Sequence, residues 1–220
     1  GRNFSVGGTV TSGEQNTDSQ LDALTEYFST GETDALDQLQ YTLSNDLRLD
    51  GQFSYTEPLK KRRFLEFSYN FNTLNADYVH DVYDVENGNQ VINDTLSNFY
   101  TSVFQYHRPG VSFRYSGEVN TVNAGLQYQM SELTGELSRN ETDIRQTYNH
   151  LLPKFMWRSD LGNGKNLRFS YNTKITQPTI TQLSPVLDNA DPLRLYIGNP
   201  NLDAEYNHNA SINFHAFSQF

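Results

Sequence analysis

The chain has 220 residues, no cysteine and a formal net charge of −10, and only 36% of its residues are hydrophobic. A typical soluble domain is nearer half apolar, so a single conventional core is poorly supplied, and the negative charge argues against a nucleic-acid partner. No run approaches the ~18 consecutive apolar residues of a membrane helix, which excludes a helical membrane protein.

The first residues lead directly into a strand pattern, without an initiator methionine or a signal peptide. We therefore expect residues 1–220 to form one partial membrane domain from the interior of a longer precursor. The absence of cysteine excludes a disulfide framework but does not identify a cellular compartment.

Alternation of apolar and polar residues is the main structural signal in the chain. In residues 39–55 one parity is apolar and comprises Leu39, Tyr41, Leu43, Leu47, Leu49, Phe53 and Tyr55. The same pattern recurs in residues 65–71, 122–130, 167–175 and 210–216. Because successive side chains of a strand point to opposite faces, each run predicts a strand with one apolar and one polar face.

The polar parity of residues 39–55 carries Asp46, Arg48 and Asp50. In a membrane barrel these side chains would point into the lumen, where opposite charges pair across strands. They are therefore our candidate lumen-facing residues. In a soluble sandwich the same side chains would form a charged solvent face.

Connections of two different lengths join the predicted strands. Short turns are predicted at residues 56–60, 116–118 and 159–164, and long connections at about residues 13–38, 83–97, 131–146 and 177–205. Long external loops alternating with short periplasmic turns are typical of outer-membrane barrels. The sequence thus predicts an all-β, antiparallel, up-and-down segment of a transmembrane β-barrel with about eight strands.

Charged and aromatic residues are distributed in agreement with that orientation. Residues 13–38 contain seven acids and no Lys or Arg. The short turns are flanked by the basic residues Lys60, Lys61, Arg62, Arg63, Arg114, Arg158, Lys165 and Arg168. Aromatic residues, including Trp157, lie beside the same turns, as expected for a girdle at a membrane boundary. In a soluble sheet they would instead form cross-strand aromatic pairs.

Residues 13–38 also contain a helix-like segment. Ser19 and Asp22 have the spacing of an N-terminal helix cap, and an apolar stretch follows them before Gly31. The sequence predicts a short helix there, serving either as a surface decoration or as a lid over a ligand.

Two prolines, Pro109 and Pro153, each lie shortly before a short turn. Because proline cannot donate a ladder hydrogen bond, it is expected at a bulge or a sheet edge. We interpret the pair as local kinks that recur from one hairpin to the next.

The sequence contains no catalytic constellation. His208 and His215 lie seven residues apart, so on one strand they face opposite sides and cannot share a metal. Residues 84–89 resemble a calcium-binding loop only loosely. We expect no enzymatic activity, no bound metal and no cofactor.

The C-terminal part carries a more specific pattern. Residues 177–185 read Gln-Pro-Thr-Ile-Thr-Gln-Leu-Ser-Pro, residues 191–193 read Asp-Pro-Leu, and residues 198–202 read Gly-Asn-Pro-Asn-Leu. These motifs resemble a loop of TonB-dependent outer-membrane receptors, and most closely the subgroup called the outer membrane protein β-barrel family. Two departures from that family's pattern are Gln177, where a basic residue is common, and Ala204, where proline is usual.

The resemblance implies a 22-stranded barrel in the bacterial outer membrane, of which this chain would be a part. It further implies contact with outer-membrane lipid, a plug domain and a TonB complex reached through other parts of the receptor, and import of a nutrient. That nutrient would be an iron chelate, an oligosaccharide or a peptide. Within the loop, the candidate ligand-contacting residues are Gln177, Pro178, Gln182, Asp188, Asp191 and Asn199.

The 177–205 connection is expected to be ordered. Its prolines restrict the backbone, and its apolar residues, among them Leu183 and Leu195, are more than a solvated loop needs. We expect it to fold toward the barrel mouth and pack on the wall. It would act there as a lid over the ligand or as a brace for the rim.

Two alternative interpretations remain open at this point. One is a soluble or surface-attached β-sandwich that binds carbohydrate or acts as an adhesin. The other is a complete eight-stranded barrel with a structural role. The missing start and the large-barrel motif count against the second alternative.

Overall fold

The computed structural model describes residues 1–86, 88–137, 142–183, 187–188 and 195–217. Its strands are β1 (Asn3–Tyr27), β2 (Glu32–Lys60), β3 (Arg63–Glu86), β4 (Asn89–Ile92), β5 (Asn98–Ser116), β6 (Asn120–Leu137), β7 (Thr142–Gly162), β8 (Lys165–Thr176), β9 (Leu187–Asp188), β10 (Tyr196–Ile197) and β11 (Glu205–Ala216). A single helical turn, α1 (Ile180–Leu183), lies between β8 and β9. Across these described ranges, no helix has the length and apolar character required to cross a membrane.

Nine strands form one antiparallel sheet in the order β1-β2-β3-β5-β6-β7-β8-β11, with β4 paired to β3. This confirms the predicted up-and-down arrangement. The predicted number of strands, about eight, is corrected to nine because β4 forms inside a predicted connection. In the part of the chain that the structure describes, β1 and β11 end the order and do not pair with each other, so these residues form an open sheet rather than a complete eight-stranded barrel.

One row of cross-strand partners shows how the two faces are built. Tyr55, Phe67, Val111, Leu126 and Pro153 are successive partners on β2, β3, β5, β6 and β7. Directly opposed residues point to the same side of a sheet. The register therefore joins the apolar parities of separate strands into one continuous apolar face, and the polar parities into one polar face.

The apolar face has a limited height. On β6 the outward side chains are apolar from Val122 to Met130, and the next outward residue, Glu132, is charged. On the antiparallel strand β7 the last apolar outward residue at the same end is Leu151, and its outward neighbour Asn149 is polar. This height is close to the ~9–11 residues with which a tilted strand crosses a bilayer. The strands continue beyond it, so their ends at the long connections stand clear of the apolar zone.

Burial is inverted relative to a soluble protein. On the apolar face Phe67, Val111 and Leu126 are 47%, 41% and 43% exposed, whereas Asn72 and Gln129 on the polar face are 3% and 0% exposed. The polar side chains crowd together, as on the concave side of a curved sheet. A sandwich would instead bury the apolar face under a second sheet, and the described residues leave it open. An exposed apolar face of this extent requires lipid or a partner surface.

Three of the four predicted long connections are largely strand. β1 and β2 pair continuously up to a turn at residues 28–31, and the pairing of β6 with β7 extends as far as Leu137 opposite Thr142. The predicted helix is wrong, since Ser19 and Asp22 lie in β1, opposite Gln40 and Asp37. The hydrogen-bond ladder continues past the apolar zone into water, where both faces are polar and the alternation disappears. A helix this short is marginal by itself.

Two of the three short turns are tighter than predicted. Lys61 and Arg62 alone separate β2 from β3, and Asn163 and Gly164 alone separate β7 from β8. Arg62 and Asn163 adopt positive φ angles of 66° and 51°. Two-residue hairpin turns require such angles, and they keep this end of the sheet compact.

The predicted irregularity at Pro153 marks a separation of two strands. β8 pairs with β7 only as far as Asn172 opposite Lys154, and the next contact is the Thr173 hydroxyl, which donates to the Pro153 carbonyl over 3.0 Å. Beyond it, β8 pairs with β11 alone. At Pro109 the ladder between β5 and β6 is interrupted, but its register is unchanged.

We expect Leu126→Arg to destabilise the full-length receptor by about 2–4 kcal/mol, because an arginine on the lipid face near the bilayer centre is poorly solvated. Gln127→Arg is the matched control, since its side chain lies on the polar face. Urea unfolding in lipid vesicles measures both. Equal losses would contradict the assignment of the apolar face to lipid.

Candidate functional site on the polar face

The connection between β8 and β11 contacts the polar face through its described residues, which are 177–183, 187–188 and 195–204. Leu183, the last residue of α1, is fully buried against Tyr100, Leu133 and Ile144. These three residues lie on β5, β6 and β7 and share the polar-face parity. The packing expected for this connection is therefore present at Leu183.

Hydrogen bonds join the same connection to β7. Gln146 Nε2 donates to the carbonyl of Pro200 over 2.7 Å, and the Tyr148 hydroxyl donates to the carbonyl of Leu202 over 3.3 Å. Both donors lie in the part of β7 that β8 does not accompany. The connection thus occupies the space that the separation at Pro153 opens.

The connection also has internal structure. Thr179 and Gln182 form a reciprocal cap of α1: the Thr179 amide donates to Gln182 Oε1 over 3.0 Å, and the Gln182 amide donates to Thr179 Oγ1 over 3.3 Å. The Asn199 amide donates to the Gln182 carbonyl over 2.7 Å. Asn199 Oδ1 in turn accepts from the Asn201 amide over 3.0 Å. These bonds shape the turn that places Leu183.

The six predicted ligand-contacting residues differ in their structural surroundings. Gln182 and Asn199 lie next to each other, and their polar groups form hydrogen bonds within the connection. Gln177 and Pro178 lie half-buried ahead of α1. The backbone of Asp188 pairs with Tyr196, and Asp191 lies outside the described residues. A role of these residues in ligand binding remains a prediction.

The three predicted lumen-facing residues lie together on the polar face. Arg48 donates through Nε to Asp50 Oδ2 over 2.8 Å, and Asn72 Nδ2 donates to Asp50 Oδ1 over 2.8 Å. Asp46 lies next to Gly13, where a Cβ atom would come within 2.5 Å of its Oδ1. The Arg48–Asp50 pair is partly exposed, so it contributes little to stability; its effect is to fix the position of both charges.

Sequence reasoning missed a second polar group beside them. The Arg108 guanidinium lies 4.4 Å above the Tyr106 ring and donates to Gln129 Oε1 from Nε over 3.0 Å and from Nη2 over 2.6 Å. Among the described residues, Gln129 Nε2 has no hydrogen-bond partner although it is buried. Only the register brings these residues together, because they come from β5 and β6 and form no local motif.

Aromatic rings line the polar face toward the long connections. Tyr78 and Tyr100 stack with ring centroids 4.7 Å apart, and Tyr100 continues into the contact with Leu183. Rings, amides and a guanidinium on one face of the sheet are suited to holding a polar organic ligand. In the described ranges no three His, Cys, Asp or Glu side chains converge as a metal site would require.

An open antiparallel sheet with an exposed apolar face and a crowded polar face defines the wall of a membrane β-barrel. The family model described as the outer membrane protein beta-barrel family matches residues 1–220, and the chain belongs to that family. The protein is accordingly located in the bacterial outer membrane.

A crystal structure of the ferric citrate transporter FecA in the unliganded form is similar to this chain, with 12% sequence identity and a TM-score of 0.49. The match covers 79% of this chain and 27% of that one, so the chain corresponds to about a quarter of the transporter's length. No curated protein matches the sequence.

We expect Leu183→Ala to loosen the 177–204 connection, because truncating a buried leucine costs about 2–5 kcal/mol. Leu195→Ala is the matched control in the same connection, since Leu195 is 62% exposed. Limited proteolysis of the assembled receptor measures the effect. The packing described above would be contradicted if both variants were cleaved at the same rate within this connection.

Tyr148 should titrate at high pH. Burial, followed by the negative charge of Asp203, raises the pKa of Tyr148. The residue lies beyond the apolar zone of β7. The neutral Tyr148 hydroxyl therefore contributes fully to the stability of the folded state below pH ~10. This contribution is lost as the pH rises through the raised pKa of Tyr148. The tyrosinate absorbance of the wild-type receptor minus that of Tyr148→Phe should show a midpoint above 10; a midpoint at or below 10 would contradict the burial effect.

Proposed function

We propose that the chain supplies part of the barrel wall and external loops of a TonB-dependent receptor that imports a nutrient such as an iron chelate, an oligosaccharide or a peptide. The observation that carries this proposal is the connection between β8 and β11, whose described residues contact the polar face and bury Leu183 there. The motifs in residues 177–202 support the same receptor class. A plug domain and a contact for the TonB complex would belong to other parts of the receptor.

The nutrient would bind on the polar face below this connection. Tyr106 and Tyr78 offer aromatic rings, and Arg108 offers a guanidinium. Ring faces suit sugars and aromatic chelators, and a guanidinium suits carboxylates. The predicted residues of the connection would complete the site from the opposite side.

In this proposal the connection is a lid. It is held to the wall by the Leu183 contact and by the hydrogen bonds from Gln146 and Tyr148. Each such hydrogen bond contributes about 0.5–1.5 kcal/mol net, and the buried leucine a few kcal/mol. The binding of a ligand can shift a conformational equilibrium by a free energy of this size.

A rim brace is the second candidate for the connection. The observation that favours it is the internal use of Gln182 and Asn199, whose polar groups hold α1 and the following turn together. A brace would need this rigidity, and it would need no contact with ligand.

Deleting residues 179–197 in the full-length receptor separates the two candidates. For a lid, we expect normal insertion into the outer membrane and at least a tenfold loss of ligand binding. For a brace, we expect loss of assembly. Binding is measured on whole cells with labelled iron chelates, oligosaccharides and peptides.

The class of the receptor has its own test. Uptake of whichever nutrient binds should stop when the proton gradient of the inner membrane is dissipated, because a TonB-dependent receptor draws its energy from that membrane. Binding at the cell surface should persist under the same conditions. Uptake that continues without the gradient would contradict the receptor class while leaving the barrel assignment intact.

A further inference from the structure

The turn between β2 and β3 concentrates positive charge at one end of the sheet. Lys60, Lys61, Arg62 and Arg63 are consecutive and exposed. Together with Tyr115 they line an open cleft of about 730 Å³. We call this cluster the basic turn. It is a region of positive charge on a chain whose net charge is −10.

A bulge places the first of these cations on the apolar face. The register between β2 and β3 shifts between Pro58 and Lys60, so that Lys60 opposes Arg63. Arg63 in turn opposes Tyr115 on β5. Because opposed residues share a face, Lys60, Arg63 and Tyr115 all lie on the side that contacts lipid. Redirecting a side chain in this way is a common effect of a bulge.

Nearby acids leave most of this charge uncompensated. Glu118 pairs with Arg62 over 2.5 Å, and Glu57 is held by Arg2 over 2.9 Å. Glu57 also accepts the Tyr55 hydroxyl. Within the described ranges, no ion pair is formed by Lys60, Lys61 or Arg63.

The apolar face begins directly beside the basic turn. Phe113 is the next outward residue on β5 after Tyr115 and is 36% exposed, and Leu65 opposes it on β3. A molecule bound here would therefore meet cations at one end and an apolar strip at the other. An anionic glycerophospholipid has this arrangement, with a phosphodiester group followed by acyl chains.

We infer that the basic turn is a binding site for an anionic phospholipid of the periplasmic leaflet. Lys60, Lys61 and Arg63 hold the phosphate, and the acyl chains lie along Leu65 and Phe113. Basic residues at a membrane surface attract anionic lipid, so three of them give selectivity over a zwitterionic lipid. This inference concerns the lipid-facing wall and does not depend on the nutrient site.

Native mass spectrometry of the full-length receptor tests the site, using phosphatidylglycerol and phosphatidylethanolamine with identical acyl chains. We expect the wild-type receptor to retain phosphatidylglycerol preferentially. The triple variant Lys60→Gln, Lys61→Gln, Arg63→Gln should lower its affinity for phosphatidylglycerol at least tenfold, with phosphatidylethanolamine binding unchanged.

The matched control removes the same charge from the polar face beside the other short turns. Arg158 and Arg168 are cross-strand partners on the polar face, and Arg114 lies on that face opposite Phe64, so the variant Arg114→Gln, Arg158→Gln, Arg168→Gln should keep phosphatidylglycerol affinity within twofold. An equal loss in this control would overturn the inference in favour of a general charge effect. Retention of affinity by the first variant, or equal binding of both lipids by the wild type, would overturn it as well.

Two further arms complete the test. Displacement of phosphatidylglycerol by millimolar inorganic phosphate would overturn the lipid assignment, because free phosphate lacks the acyl chains. Heat-modifiable migration on gels checks assembly of each variant. If the triple variant does not assemble, Arg63→Gln alone should still lower phosphatidylglycerol affinity severalfold, and an unchanged affinity would overturn the inference.

Discussion

A lipid environment offers no hydrogen-bond partner to the peptide backbone, so every amide and carbonyl in the apolar zone must be paired within the sheet. This requirement accounts for the backbone ladder that joins neighbouring strands from β1 to β11. It also accounts for the distribution of side chains: once the backbone is satisfied by neighbouring strands, the face toward lipid must be apolar and the opposite face becomes polar. The inverted burial of Leu126 and Gln129 follows directly.

The requirement that all backbone groups be paired within the sheet applies only in the apolar zone, but the backbone ladder continues beyond this zone. Strands such as β1 and β2 continue into water as paired ribbons whose two faces are both polar. There the structure is maintained by hydrogen bonds and cross-strand contacts alone. Leu183 in the connection after β8 is the exception, since it lies outside the ladder and packs against Tyr100, Leu133 and Ile144.

How much the sequence could predict follows from this division. Within the apolar zone the alternation around Leu126 and Phe169 is sufficient to predict strands, faces and short turns, because lipid imposes a period of two. Beyond the zone that signal is absent, and the local cues at Ser19 and Asp22 led to a helix that the ladder overrides.

The candidate site was predictable only in part. Asp46, Arg48 and Asp50 lie on one strand, so parity alone places them on the polar face. Arg108 and Gln129 lie on separate strands, and only the register between β5 and β6 brings them together. Burial of Leu183 was foreseeable as a tendency of the connection, but the identity of its partners depends on where β8 leaves β7.

That departure at Pro153 has a mechanical consequence. Elsewhere neighbouring long strands are joined by a cooperative backbone ladder, whereas the outer part of β7 is joined to the following segment by side-chain bonds from Gln146, Tyr148 and Tyr206. A few such bonds, at about 1 kcal/mol each, open far more readily than a ladder. Under mechanical load or heating, the sheet should therefore separate first between the outer part of β7 and the segment that follows it. The paired strands β8 and β11 would then move together as one unit.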